Sequence, residues 1–189
     1  MRIVSGQYKG KAIAAPQGLT TRPTSDRARE AVFNILQHAA WAPELPGARV
    51  LDLFAGSGAL GLEALSRGAD FCLFVETDEA ARGAIRDNIE ALQLFGSTRI
   101  HRRNATDLGP KPASAGAPFD LVFLDPPYAK GLGEKALAEL AAHGWLKPGA
   151  ALAFERGEGE GAIAPTGYEL VDERRYGPAK VLFLRWPGP

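Results

Sequence analysis

Residues 49–61 read Arg49-Val50-Leu51-Asp52-Leu53-Phe54-Ala55-Gly56-Ser57-Gly58-Ala59-Leu60-Gly61. Arg49–Phe54 is an apolar run around Asp52, without the alternation of a half-solvated strand. Such a run reads as a strand buried on both faces. Gly56, Gly58 and Gly61 fit the pattern G-x-G-x-x-G, and Ala59–Arg67 then reads as a helix stopped by Gly68. A strand, a glycine turn and a helix in that order open a parallel sheet covered by helices.

The pattern continues outward on both sides. Phe71–Val75 and Phe119–Leu124 are further buried strands, and Arg99–Arg102 is a short edge strand. Glu79–Leu94 and Glu134–His143 read as helices, and Asp107–Pro118 as a Pro/Ala/Gly-rich loop. After a turn at Lys147-Pro148-Gly149, Ala150–Glu155 is another strand. Tyr168–Arg175 and Lys180–Trp186 form a closing antiparallel hairpin through Gly177-Pro178. Upstream, residues 1–15 read as two short strands around Gly6 and Gly10. A helix follows, capped by Thr24, Ser25 or Asp26, with Ala28, Ala31, Val32, Ile35, Leu36 and Ala39 on one face. Pro43, Pro46 and Gly47 mark a boundary. Residues 1–45 are therefore an N-terminal extension, and residues 46–189 the main domain.

Composition bounds the function. The 189 residues are 46% hydrophobic and 23% charged, the balance of a soluble globular chain. The single cysteine, Cys72, excludes an internal disulfide and any multi-cysteine metal site. His38, His101 and His143 have no ligand spacing, so no metal is expected. No apolar run approaches the roughly 20 residues that cross a bilayer, and residues 1–6 lack the apolar stretch of a signal peptide. A cytoplasmic location is expected. Net charge is zero, but residues 1–41 carry six basic and two acidic side chains. A basic front end on a mildly acidic body suits a polyanion.

Three acids fall at strand ends: Asp52, Glu76 and Asp125. In open sheets of this kind, ligands bind beyond the carboxyl ends of the strands. Glu76 lies 20 positions after Gly56, where an acid holds ribose hydroxyls. The glycines alone fit a nicotinamide dinucleotide as well as S-adenosylmethionine. Asp52 separates them: a carboxylate there accepts hydrogen bonds from a ligand ammonium, but repels a pyrophosphate. The pattern leans toward S-adenosylmethionine. Phe54, Ser57 and Thr77 join Asp52, Gly56, Gly58 and Glu76 in the candidate cofactor site. Asn104 and Ala105, after the edge strand, could line its adenine pocket, and Asp125 is also counted among the cofactor-binding residues.

Leu124-Asp125-Pro126-Pro127-Tyr128 is the sharpest signal. Two prolines fix consecutive φ angles and donate no N–H, leaving a rigid carbonyl free to accept. Tyr128 supplies a flat ring. The arrangement suits methylation of a planar exocyclic amine, whose lone pair is delocalised and weakly nucleophilic. The Asp125 carboxylate and Pro126 carbonyl could accept its two N–H groups, and Tyr128 could stack on the base. Asp125, Pro126, Pro127 and Tyr128 are the candidate catalytic residues.

Together these motifs resemble the class I S-adenosylmethionine-dependent methyltransferases that modify amino groups. Arg2-Ile3-Val4-Ser5-Gly6, Lys9-Gly10-Lys11 and Thr21-Arg22-Pro23-Thr24-Ser25-Asp26-Arg27-x-Arg29-Glu30 narrow the likeness to the bacterial RsmD family. That resemblance implies a Rossmann-like α/β fold with a seven-stranded, mostly parallel sheet, an antiparallel last strand, and an N-terminal β-hairpin and helix. It implies a monomeric enzyme that methylates the exocyclic N2 of a guanine in 16S ribosomal RNA, within the small ribosomal subunit. It also implies cofactor contacts at Asp52, Gly56, Glu76 and the Asn104–Ala105 turn. Arg2, Lys9, Lys11, Arg22, Arg27 and Arg29 are then expected to meet RNA phosphates, which position a substrate without specifying it.

Rival readings stay open on the residues alone. The reactive corner does not separate guanine N2 from adenine N6, cytosine N4 or a protein glutamine amide. An NAD-dependent oxidoreductase would not need Asp125-Pro126-Pro127-Tyr128, and a non-catalytic RNA-binding module would not retain it.

Overall fold

The computed structural model describes residues 1–16, 25–127, 131–157 and 164–189. Seven strands form one sheet: β1 (Arg49–Leu53), β2 (Phe71–Val75), β3 (Thr98–His101), β4 (Phe119–Leu124), β5 (Leu146–Gly157), β6 (Glu169–Tyr176) and β7 (Ala179–Trp186). Their order across the sheet is β3-β2-β1-β4-β5-β7-β6. Strands β1 to β5 are parallel to one another, and β7 runs antiparallel to both β5 and β6. The expected α/β architecture with its antiparallel last strand is present.

Helices cover both faces. α1 (Asp26–His38), α2 (Ala59–Ser66) and α3 (Glu79–Leu92) lie on one side, and α4 (Leu132–Ala142) on the other. Alternate strand residues divide between them: Val50, Phe74 and Phe123 pack toward α1–α3, while Leu51, Leu73 and Leu124 pack toward α4. Both faces are apolar, so the strands needed no period-two pattern.

Ser25 caps α1, its Oγ accepting from the Ala28 amide at 3.1 Å. Val32 and Leu36 are buried as the spacing predicts, but so are Phe33 and Arg29. The Phe33 ring meets Phe123 at 5.4 Å between centroids, fastening α1 to the centre of the sheet. The N-terminal hairpin reduces to one antiparallel bridge, between Arg2 and Ala12. Ile3 and Ile13 enter the same core as α1–α3, so the described part of residues 1–45 shares the main domain's interior.

Polar side chains of the main domain hold this section down. Glu63, fully buried on α2, accepts from the amides of Val4 (2.9 Å) and Ser5 (3.0 Å), from Arg29 Nε (3.1 Å) and from Arg67 Nε (2.9 Å). Ser66, almost one turn on, takes the Tyr8 amide on its hydroxyl and the Gln7 amide on its carbonyl. A Cβ at Gly6 would fall 2.0 Å from that carbonyl oxygen, and φ there is +89°, so only glycine fits.

Two features depart from the sequence expectation. Arg29, expected to face RNA, is fully buried; it pairs with Glu63 and with Asp26 at 2.9 Å, and donates to the Arg2 carbonyl. Its charge is spent inside the protein. The turn at Lys147-Pro148-Gly149 does not precede β5 but lies within it. Phe119 pairs with Leu146 and Leu121 with Ala151, so the turn residues bulge out of an otherwise continuous ladder.

Candidate active site

Strand register sets the site. Leu53 pairs with Val75 on one side and Leu124 on the other, and Leu124 pairs with Phe154. The next residues, Glu76, Phe54, Asp125 and Glu155, therefore follow four neighbouring strand positions at one level. Adjacent strands lie roughly 4.8 Å apart, so the chemistry of three separate sequence motifs meets along one edge.

The glycine loop turns above β1. Phe54 holds φ +55° and Gly56 and Gly58 hold +59° and +81°. A left-handed phenylalanine is costly unless its surroundings enforce it. The three glycines have different reasons. A Cβ on Gly56 would meet nothing within 4 Å, so this position looks onto open space. On Gly58 it would press Phe74 at 3.1 Å, and on Gly61 it would strike Cys72 Sγ and Phe74 at 2.5 Å. Gly61 lets α2 seat against β2, and Gly56 leaves room for a ligand.

Glu76 fixes the loop. Its Oε1 accepts from the Gly56 amide at 2.8 Å and its Oε2 from the Asp78 amide at 3.0 Å. Glu76 is half-buried, and the neighbouring Thr77 is exposed, its carbonyl accepting from Arg82 Nη1. Asp52 is set deeper, 2% exposed, and its Oδ2 accepts from the Gly61 amide in the first turn of α2 at 3.1 Å. Burial pushes its carboxyl up to about 8; the Gly61 amide opposes the shift and the Glu76 charge adds to it. Asp52 thus underpins the turn and the helix start. Asn104 is exposed and turned back on itself, its Oδ1 accepting from the Thr106 amide and hydroxyl, while Ala105 is buried. The Ser57 carbonyl accepts from Asn88 Nδ2 at 3.0 Å.

Asp125 is half-buried at the tip of β4, Pro126 is buried and Pro127 exposed. Tyr128 and Arg22 lie outside the described residues. Beside this tip opens a cavity of about 670 Å³. Its floor is Phe123, Leu124, Ala153 and Val181, its wall is α1 from Arg27 to Val32, and Tyr176–Ala179 close the far side. Leu60, just after the glycine loop, also reaches it. Such a volume is that of a small-molecule or base pocket. Arg27 and Glu155 are its charged lining residues. Arg2, Lys9 and Lys11 are exposed on the N-terminal section, with Arg2 Nη1 donating to the Gly10 carbonyl at 2.7 Å.

Sequence reasoning does not find Glu155, Glu63 or Asn88. A lone acid in the apolar helix Ala59–Ser66 is the available signal for Glu63. Glu155 and Asn88 gain meaning only from strand register and chain packing.

The sheet order, the glycine turn and the acid-bearing strand tips are those of a class I methyltransferase fold. Ribosomal protein L11 methylase from Lactobacillus delbrueckii shares that fold, with a TM-score of 0.67 at 18% identity over 94% of this chain and 86% of that one. The chain belongs to the family described as Conserved hypothetical protein 95, whose model matches residues 1–185, and this is the RsmD family. It is 38% identical over 176 residues to ribosomal RNA small subunit methyltransferase D of Escherichia coli, covering 92% of this chain and 84% of that protein. The Haemophilus influenzae protein of the same name is 33% identical, over 94% and 89%. The solved structure of Escherichia coli yhhF superposes with a TM-score of 0.83 at 35% identity, covering 100% of this chain and 99% of the other.

Proposed function

We propose that the protein transfers a methyl group from S-adenosylmethionine to the exocyclic N2 of a guanine in small-subunit ribosomal RNA, acting as a cytoplasmic monomer. The observation that carries this is that β1 and β4 pair side by side, so the glycine loop and Asp125-Pro126 leave neighbouring strand ends, and Leu60 and Leu124, next to them in the chain, line a cavity of about 670 Å³. The family relatives named as ribosomal RNA methyltransferases support the substrate class.

The residues present fit the cofactor. Open space faces Gly56, where a Cβ would meet nothing within 4 Å. Gly56, Gly58, Phe54 and Ser57 would form the cradle, with Asp52 beneath it, Glu76 and Thr77 on the ribose side, and Asn104 and Ala105 toward the adenine. When bound, S-adenosylmethionine supplies an electrophilic methyl on a sulfonium. The protein's own work is alignment. The Asp125 carboxylate and Pro126 carbonyl accept the two N–H groups of the amine and turn its lone pair toward the cradle. Pro127 holds that carbonyl rigid, and Tyr128 stacks on the base. The apolar floor keeps water away, which strengthens each hydrogen bond. Arg2, Lys9, Lys11, Arg22 and Arg27 hold the RNA backbone.

Mass mapping of ribosomal RNA tests the reading. Cells lacking this protein should miss one N2-methylguanine, restored by the wild-type gene and not by an Asp125→Ala copy. A complete set of methylguanines in those cells, or a missing methyladenine in their place, would overturn the assignment.

A further inference from the structure

We propose that Asn88 is a positioning residue that ties the cofactor loop to the N-terminal section, so that filling the cradle firms the chain at Ala14 and the basic face beside it. The inference rests on reading the glycine loop as the cradle for S-adenosylmethionine.

Asn88 sits on the inner face of α3, 3% exposed. Its Oδ1 accepts from the Ala14 amide at 2.8 Å. Its Nδ2 donates to the Ala14 carbonyl at 3.1 Å and to the Ser57 carbonyl at 3.0 Å. A primary amide has two N–H donors, and both are committed here, one to each segment. The pair of bonds to Ala14 imitates a strand ladder, with a side chain in place of a neighbouring backbone. Neither segment can shift without breaking a hydrogen bond of Asn88, and that buried amide left without its partner is unfavourable.

The two ends of this link are different in kind. Ser57 stands between Gly56 and Gly58, the two positive-φ glycines of the loop. Glu76 holds the Gly56 amide and Asn88 the Ser57 carbonyl, so two successive residues of the loop are pinned by side chains. Ala14 follows Ile13, which is buried in the core and donates its amide to the Met1 carbonyl at 2.9 Å. Arg2 and Ala12 pair beside it. Exposed Arg2, Lys9 and Lys11 stand on this same short piece of chain. A ligand that stills Ser57 therefore stills the backbone that carries three cations. Linkage is reciprocal: RNA held by those cations must tighten the cofactor by the same factor.

Hydrogen exchange on the full chain reads this directly. Saturating S-adenosylmethionine should slow exchange of the Ala14 amide about fivefold or more, while the Lys111 amide, bonded to the His143 carbonyl far from the loop, stays unchanged. Binding to a small-subunit ribosomal RNA transcript should tighten about fivefold with cofactor present. In Asn88→Ala, and in Asn88→Asp, which keeps the acceptor and loses both donors, the two effects should vanish together while Lys111 remains protected. The wild-type measurement decides the matter even if a variant does not fold. Cofactor binding with no change at Ala14 overturns this proposal alone. Failure of the wild-type protein to bind S-adenosylmethionine overturns it together with the reading of the loop.

Discussion

Replacing Glu63 with alanine should loosen the N-terminal section more than any other single change on α2. Four donors converge on this buried carboxylate: two backbone amides, Arg29 and Arg67. Arg29 is fully buried and Arg67 nearly so, and Arg29 retains Asp26 as its other carboxylate. Breaking a buried pair from one side costs about 3–5 kcal/mol, because the partner charge is left behind. For a domain of this size each kcal/mol moves the melting temperature by about 2–4 °C, so Glu63→Ala should melt about 6–20 °C lower. Urea denaturation and thermal melts followed by circular dichroism give those numbers. Trypsin gives the location: cleavage after Lys9 and Lys11 should accelerate in the variant before global unfolding begins. Arg29→Met combined with Glu63→Leu should be less damaging than Glu63→Ala alone, since it strands no charge at Arg29. A Glu63→Ala protein within about 1 kcal/mol of wild type, with unchanged trypsin sites, would show that the network does not hold the section in place.

Four further outcomes follow from the same structure. Asp52 has a folded-state carboxyl raised to about 8, so its contribution to stability is full below about pH 4 and is lost as pH rises toward 8. Asp52→Asn should remove that slope, about 1.4 kcal/mol per pH unit at its steepest; parallel wild-type and variant curves between pH 5 and 8 would refute it. Asp125→Ala should abolish methyl transfer while calorimetry still shows cofactor binding, whereas equal loss of both would make the residue structural. Alanine at Lys9, Lys11 and Arg27 should weaken RNA binding and flatten its salt dependence, the slope falling by about one for each phosphate no longer neutralised. Arg29→Ala should instead lower stability.

The parallel core was legible because buried strands announce themselves as mostly apolar runs without alternation, and Val50–Leu53 around Asp52, Phe71–Val75 and Phe119–Leu124 do so. The cap of α1 was legible to within Thr24, Ser25 and Asp26 because capping is local chemistry, and Ser25 takes it. What escaped was long-range. Arg29 looks like a solvent-facing cation until its partner 34 residues away is known. Phe33 falls off the apolar stripe read from the small residues of α1, yet it is one of the largest buried side chains. The site divides in the same way. The glycine turn and Asp125-Pro126-Pro127 each carry a signature, but their adjacency comes from the pairing of β1 with β4. The cavity wall comes from α1 and the β6–β7 turn, and no motif describes it.

The place of β7 has a consequence for how the molecule is made. It comes last of the seven strands in the chain, yet it is wedged between β5 and β6. During synthesis β6 emerges first and finds no ladder to join, and the flank of β5 stays bare. Val181 and Tyr176–Ala179, which line the cavity, arrive in the same final stretch. A nascent chain can pair β1 to β5 before then, but the cavity is walled only once Tyr176–Val181 have arrived and the last two strands have paired.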